Sequence, residues 1–264
     1  MIKNRIWIPI VIMIASFMWH PQLADSMVSS KVKHEPNLIA IGTFFNGTQL
    51  TVSGKIAAEN EVAVILKGKQ EELTLKKKGK ALGLLWMNLG DVHVKNVPNL
   101  YILYTSKGVM ELASSDEKTW EQLGIGFESL KNEMEIAAPQ AEKNTLAEEF
   151  LKLKKNQGLY ASHQGEISFE QKGDTEKLFN AAVWIPPRVS PGEYQVQVTE
   201  IHNGVIVGKS MDQLKVKIEG VPSMISSLAF NHSLLYGFFA VLIAVVAGLV
   251  MDFFFGTGKG GGAH

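Results

Sequence analysis

The chain has 264 residues, 46% of them hydrophobic, which is material for one large domain or two small ones. Lys plus Arg and Asp plus Glu number 26 each, so there is no global basic field to hold nucleic acid through its phosphates. Cysteine is absent, which excludes disulfides, thiolate nucleophiles, zinc fingers, iron–sulfur clusters and covalent c-type haem attachment without fixing the redox compartment.

Residues 1–26 open with Lys3 and Arg5, continue apolar from Ile6 to Trp19, and reach the small residues Ala24 and Ser26 on either side of Asp25. This pattern reads as a signal peptide cleaved after Ser26, the alternative being an uncleaved anchor. On either reading the following segment is exported.

Residues 27–113 read as an N-terminal β region. "NLIAIGTFF", "QLTVSGKI", "EVAVILKG", "ELTLKKK", "LGLLWMNLG" and "NLYILYTS" mix period-two alternation with short apolar runs, punctuated by Asn46-Gly47, Gly54, Gly68, Gly79 and Pro98. Strands at this spacing predict an immunoglobulin-like β-sandwich without the antibody disulfide. Lys76, Lys77, Lys78 and Lys80 end one strand. They suit a solvated sheet edge, or anionic headgroups if that end faces a bilayer. Trp86 and Tyr101 read first as core and second as a recognition surface.

Residues 114–158 change period and predict a helical pair. Ser114 and Glu117 form a capping box, after which Trp120, Leu123, Phe127, Leu130 and Met134 share a face, with Gly124 and Gly126 weakening the helix. Thr145 and Glu148 form a second box opening a helix faced by Leu146, Phe150 and Leu153 and stopped at Gly158. Gly124, Gly126 and Pro139 exclude a long coiled coil.

Residues 159–220 return to strand patterns, with Asn203-Gly204 as a hairpin turn. In "EYQVQVTEI", Tyr194, Val196, Val198 and Glu200 share one face, and Glu193, Gln195, Gln197, Thr199 and Ile201 the other, predicting one packed and one wet side. These strands either build a second small sandwich or complete the first.

After a linker at 221–233, residues 234–255 carry no formal charge before Asp252 and span roughly 33 Å as a helix, enough for one membrane crossing. A buried core helix would show a polar stripe, which is missing here. With residues 27–233 outside, the Gly-rich tail 256–264 is expected in the cytoplasm, and Lys259 agrees with the positive-inside tendency. Ala240, Ala244 and Gly248 recur every fourth residue, and Asp252 is next in the series. Small residues let another helix approach closely. Asp252 near the interface costs well below the roughly 3 kcal/mol of the bilayer centre, so it is either merely tolerated there or pairs with a polar group on a partner helix.

Catalytic and metal signatures are weak. No Gly-x-Ser-x-Gly elbow occurs, "GTGKGGG" lacks the flanking strand and helix of a phosphate loop, and "HEP" at His34 lacks the second histidine of a zinc helix. Histidines 34, 93, 163, 202 and 232 are scattered, so a metal site needs distant convergence, with Met27, Met87 or Met211 as possible soft ligands for copper. The acidic pairs Glu71-Glu72, Asp116-Glu117 and Glu148-Glu149 read as solvation and helix-dipole complement.

Taken in order, "GLLWMN…VPNLYILYTS", "LGIGFESL", "GLY…ISFEQ…LFNAAVWIPPRVSPGEYQVQV…NGVIVGKS…LKVKIEG" and "LAFNHSLLYGFFAVLIAVVAGLVMDFFF" resemble a bacterial family described as transmembrane proteins of alphaproteobacteria. The resemblance implies topology: a signal peptide, an exported region and one C-terminal membrane helix. It supplies no catalytic residue and no cofactor. Asn99 in "VPNLY" stands where the family is expected to carry a small residue.

The expected function is therefore that of a non-enzymatic accessory protein of the bacterial inner membrane. It would have an extracytoplasmic body, lipid around its helix, and an integral membrane partner such as a transporter or respiratory assembly. No cofactor, metal or nucleic acid is expected. The alternative is a periplasmic metal-ion or small-ligand carrier delivering cargo to a membrane partner. An unrecognised hydrolase is a further reservation.

Overall fold

The computed structural model describes residues 32–81, 85–113 and 123–255. The signal-peptide reading, the capping box of Ser114 and Glu117, Trp120, the side chain of Trp86 and the tail 256–264 lie outside the described residues.

The fold is mainly β. A four-stranded sheet has the order β1-β3-β11-β10, formed by β1 (Lys33–Glu35), β3 (Thr48–Ala57), β11 (Glu176–Ile185) and β10 (Ile167–Gln171). A six-stranded sheet has the order β2-β13-β12-β4-β7-β9, formed by β2 (Leu38–Ile41), β13 (Val205–Ile218), β12 (Gly192–His202), β4 (Glu61–Lys67), β7 (Tyr101–Thr105) and β9 (Tyr160–Gln164). Because β3 pairs antiparallel with β11, and β4 with β12, strands from both sides of the helical segment share both sheets. Residues 159–220 thus add strands to the same two sheets as residues 32–105.

The alternation in the sequence explains the first core. Leu50, Val52 and Ile56 on β3 and Phe179, Ala181, Val183 and Ile185 on β11 bury against Val62, Val64 and Leu66 on β4, Tyr194, Val196 and Val198 on β12, and Leu214 and Val216 on β13. Fully burying one such aliphatic side chain contributes on the order of 1.5–3 kcal/mol. At the start of β12 the Tyr194 hydroxyl donates to the Ser190 carbonyl at 2.7 Å, pinning the corner that precedes the strand. Asn203 (φ 47°) and Gly204 (φ 81°) are both left-handed, the conformation a two-residue type I′ hairpin requires.

The outer face of the six-stranded sheet is covered over β4 and β7 and at the end of β12. Ala63 and Ile65 of β4, Tyr101 and Leu103 of β7, Tyr160 and Ile201 pack with Val92, Val94 and Val97 and with residues of the helical segment in a second core. The expected wet face of β12 holds at Glu193 and Gln195, which are exposed, and fails at Thr199 and Ile201, which are buried. It also explains why "VAVIL" and "YILYT" are continuous apolar runs: strands buried on both faces have no polar side to alternate with.

The helical segment departs from its predicted bounds. Helix α1 is one turn, Val109–Leu112, and α2 covers Phe127–Glu133. Gly124 (φ 61°) and Gly126 (φ 98°) break the predicted continuous face from Leu123 to Met134, because left-handed backbone cannot lie within a right-handed helix. Helix α3, Gln140–Asn156, begins after Pro139 rather than at Thr145. Its buried face is Ala147, Phe150, Leu151 and Lys154, with Leu153 exposed. Its end is the predicted Gly158 stop. Gly158 (φ 74°) donates to the Lys155 carbonyl at 2.9 Å and Leu159 to the Lys154 carbonyl at 3.0 Å, the paired bonds of a Schellman motif.

Candidate functional site

Two features leave the same end of the six-stranded sheet. Lys67 on β4 and Gln213 on β13 both pair with Gln195, and β13 then stops at Ile218. From there the segment read as a linker forms helix α4, Val221–Asn231, followed by α5, Ser233–Phe255. Among the described residues α5 is the one helix long and apolar enough to cross a membrane, and none of its residues is buried by the rest of the chain. A polypeptide that leaves Leu, Val, Ile and Phe uncovered on every side of a helix has to meet lipid or another apolar helix.

Ala240, Ala244, Gly248 and Asp252 all lie on α5 and are exposed. A Cβ added at Gly248 would meet open space, so nothing within the chain fills the ridge. Four residues advance an α-helix by about 400°, so the ridge drifts roughly 40° per step and about 120° from Ala240 to Asp252. It is contiguous but winds around the helix. A partner lying straight along α5 would touch part of it, whereas a crossing helix could follow more.

The second feature is an arm built from β5 (Gln70–Ala81) and β6 (Leu85–Pro98), with the two-residue β8 (Glu135–Ile136) paired to β6 at Val94 and Lys95. It continues the β4–β7 ladder: after Lys67 pairs with Tyr101, Gly68 donates to Leu100 and Asn99 to Lys69, each at 2.9 Å, and Gln70 pairs with Pro98. A Cβ at Gly68 would meet the Asn99 side chain, which occupies the space the glycine leaves. The register shifts near Asn96, whose φ of 58° marks a bulge, and shifts again between Lys77 and Lys78.

Helix α3 clamps the base of the arm. Lys154 Nζ donates to Glu71 Oε1 at 2.6 Å and lies 5.6 Å and 5.8 Å from the ring centroids of Phe150 and Tyr160. Tyr160 in turn donates to the Pro98 carbonyl at 2.6 Å. The Tyr101 hydroxyl accepts from the Gly126 N–H at 3.0 Å, and burial pushes it up to about 12. Further out, Lys77 meets Glu142 at 2.6 Å and Lys76 meets Asp91 at 2.7 Å. The cleft between arm and helix, about 640 Å³, is lined by Leu75, Val92, Val94, Phe150 and Leu153 with Lys77 at its rim.

The scattered histidines remain scattered. His34 is buried on β1 with Nδ1 3.1 Å from Asp212 Oδ2 but off the hydrogen-bond direction. His93 meets Thr74, His163 stacks on Tyr104, His202 meets Asn203, and His232 follows α4. Among the described residues no three His, Asp or Glu side chains gather as a metal site. Glu200 was read as a face residue. It is buried and accepts from Asn60 Nδ2 at 2.8 Å and the Ala57 N–H at 3.1 Å, tying β12 to the β3–β4 turn. Sequence reasoning missed the α3 clamp, for which the signal was a lysine at helical spacing from Phe150.

A mainly β body carried on one apolar C-terminal helix defines a transmembrane protein class. The chain belongs to the family described as "Putative transmembrane protein (Alph_Pro_TM)", whose model matches residues 31–256. No curated protein and no solved structure matches it.

Removing one member of a buried pair strands the other. Glu71→Gln is therefore expected to destabilise the chain by roughly 1–3 kcal/mol, read by denaturant unfolding in detergent. Adding Lys154→Met should recover much of that loss. Equal, additive losses would show that the two side chains do not interact.

Proposed function

We propose that the protein is a membrane-anchored accessory protein acting by contact with an integral membrane partner, such as a transporter or respiratory assembly, and that it carries out no chemistry itself. The observation that carries this reading is α5: an apolar helix left wholly uncovered, with a small-residue ridge ending in one carboxylate. Within a bilayer, close packing and interhelical hydrogen bonds hold helices together, and both are on offer here. In this reading Ala240, Ala244 and Gly248 admit a crossing partner helix, and Asp252 accepts a hydrogen bond or ion pair from it.

We infer an immunoglobulin-like body. Support comes from the β1-β3-β11-β10 order of one sheet, the parallel β2–β13 edge of the other, and the Tyr194–Ser190 corner. We further infer that the body is extracytoplasmic, on the bacterial inner membrane, with the C-terminus in the cytoplasm. The cationic and apolar start of the chain and Lys259 beyond the helix support that orientation.

Orientation is tested by a reporter active only in the periplasm. Fused after Gly220 it should be active, and fused after Gly262 inactive; the reverse pattern overturns the orientation. The interface is tested by co-purification in mild detergent. Asp252→Leu, which eases insertion, should preserve anchoring yet weaken the complex about tenfold, the equivalent of the roughly 1–2 kcal/mol of an interhelical polar contact. Ala244→Leu should do the same by bulk. If both variants hold the partner as firmly as the parent, α5 is an anchor alone.

A further inference from the structure

The outer arm exposes apolar side chains past the point where α3 stops covering it. The described contacts of α3 reach along the arm as far as Lys77 and Lys78. Beyond, Leu85, Met87 and Leu89 are 73%, 50% and 55% exposed. Residues paired directly across a ladder share a face, so Met87 opposite Gly79 and Leu85 opposite Ala81 stand on one side. Leu89 joins them, lying over Gly79 where a Cβ would collide with it. The alternate positions of β5 carry Lys78 and Lys80, and the stretch from Lys78 to Gly90 contains no acidic residue. This part of the arm therefore carries Leu85, Met87 and Leu89 on one face and Lys78 and Lys80 on the other. Such a ribbon would be a pairing hazard in water, which edge strands normally avoid.

The arm starts at the sheet end from which α4 and α5 depart. From Gly68 to Ala81 it spans about 45 Å if extended, whereas α4 spans about 17 Å. Because β13 runs five residues past the level of Lys67 before α4 begins, about 17 Å more, the far end of the arm can reach the level at which α5 starts. Helix α4 itself exposes Val221, Met224, Ile225 and Phe230. Apolar groups that enter the boundary of a bilayer while lysines meet anionic headgroups are the general chemistry of interfacial binding.

We propose that the outer arm is a second membrane contact: Leu85, Met87 and Leu89 enter the headgroup boundary of the bilayer that holds α5, with Lys78 and Lys80 among anionic headgroups. This rests on the reading of α5 as the anchor. The body is then held at two points rather than swinging from one tether, which orients it toward a partner in the same membrane.

The chain has no cysteine, so single labels are clean. Full-length Met87→Cys, Val205→Cys and Val246→Cys proteins would each carry an environment-sensitive fluorophore. They would be reconstituted into phosphatidylcholine vesicles with and without phosphatidylglycerol, and quenched by doxyl lipids. Val205 lies at the opposite end of the sheet, opposite His202, and Val246 lies on α5. Labels at 87 and 246 should be quenched severalfold more than at 205, and the label at 87 more strongly with phosphatidylglycerol. Adding Leu85→Asp and Leu89→Asp should abolish quenching at 87 and leave 246 unchanged. If 87 is quenched no more than 205 while 246 is quenched, the arm contact is overturned. If 246 is not quenched, the anchor reading falls, and the arm proposal with it. A label at 87 unquenched in vesicles but shielded from water in native membranes assigns the tip to a protein and overturns the lipid contact.

Discussion

Burial of β4 and β7 on both faces is the constraint from which the rest of the architecture follows. Their inner faces complete the core shared with the four-stranded sheet, and their outer faces hold the helical segment. An antiparallel strand in an ordinary two-layer body needs one apolar face; "VAVIL" and "YILYT" need two. The described residues 109–113 and 123–156 therefore act as structural cover rather than as an appendage. Removing them would expose Ile65, Tyr101, Leu103 and Tyr160 to water together.

The same strands set the geometry of the site. The β4–β7 ladder runs beyond the sheet as the arm, and α3 is fixed along it by Lys154, Phe150 and the Schellman turn at Gly158. β4 and β13 run parallel through β12, so the arm and the membrane helix depart from one end. The adaptor role we propose would call for contact elements at one end of the body, and the arm and α5 leave the sheet at the same end.

Much of this was legible in the sequence where a local rule applies. The apolar run 234–255 gave α5 to within a residue, Asn203-Gly204 gave the hairpin turn, Gly158 gave the helix stop, and alternation gave the inner face of β12 through Tyr194, Val196 and Val198. What stayed hidden depends on long-range pairing. Thr145 looked like a helix start because a capping box is a local pattern, yet Pro139 already permits the turn that begins α3. Thr199 and Ile201 looked wet because their cover lies far away in sequence. The strands of the arm, 12 and 14 residues long, look like shorter segments in the sequence because Gly79 resembles a turn, whereas in the ladder it sits beneath the Leu89 side chain. The ridge on α5 was legible as spacing, but its winding emerges once the helical period is applied over three steps.

Because each sheet draws strands from both β regions, those regions and the helical segment are expected to unfold as one cooperative body around β4 and β7. Hydrogen exchange on the full-length chain in detergent, followed through increasing denaturant, tests this directly. Amides of β3, β4, β7, β11 and β12 should lose protection in a single transition together with those of α3, because each sheet draws strands from both regions. If strands within 159–218 open in a separate, earlier step while 48–67 and 101–105 remain protected, the body is not one unit and the account is contradicted.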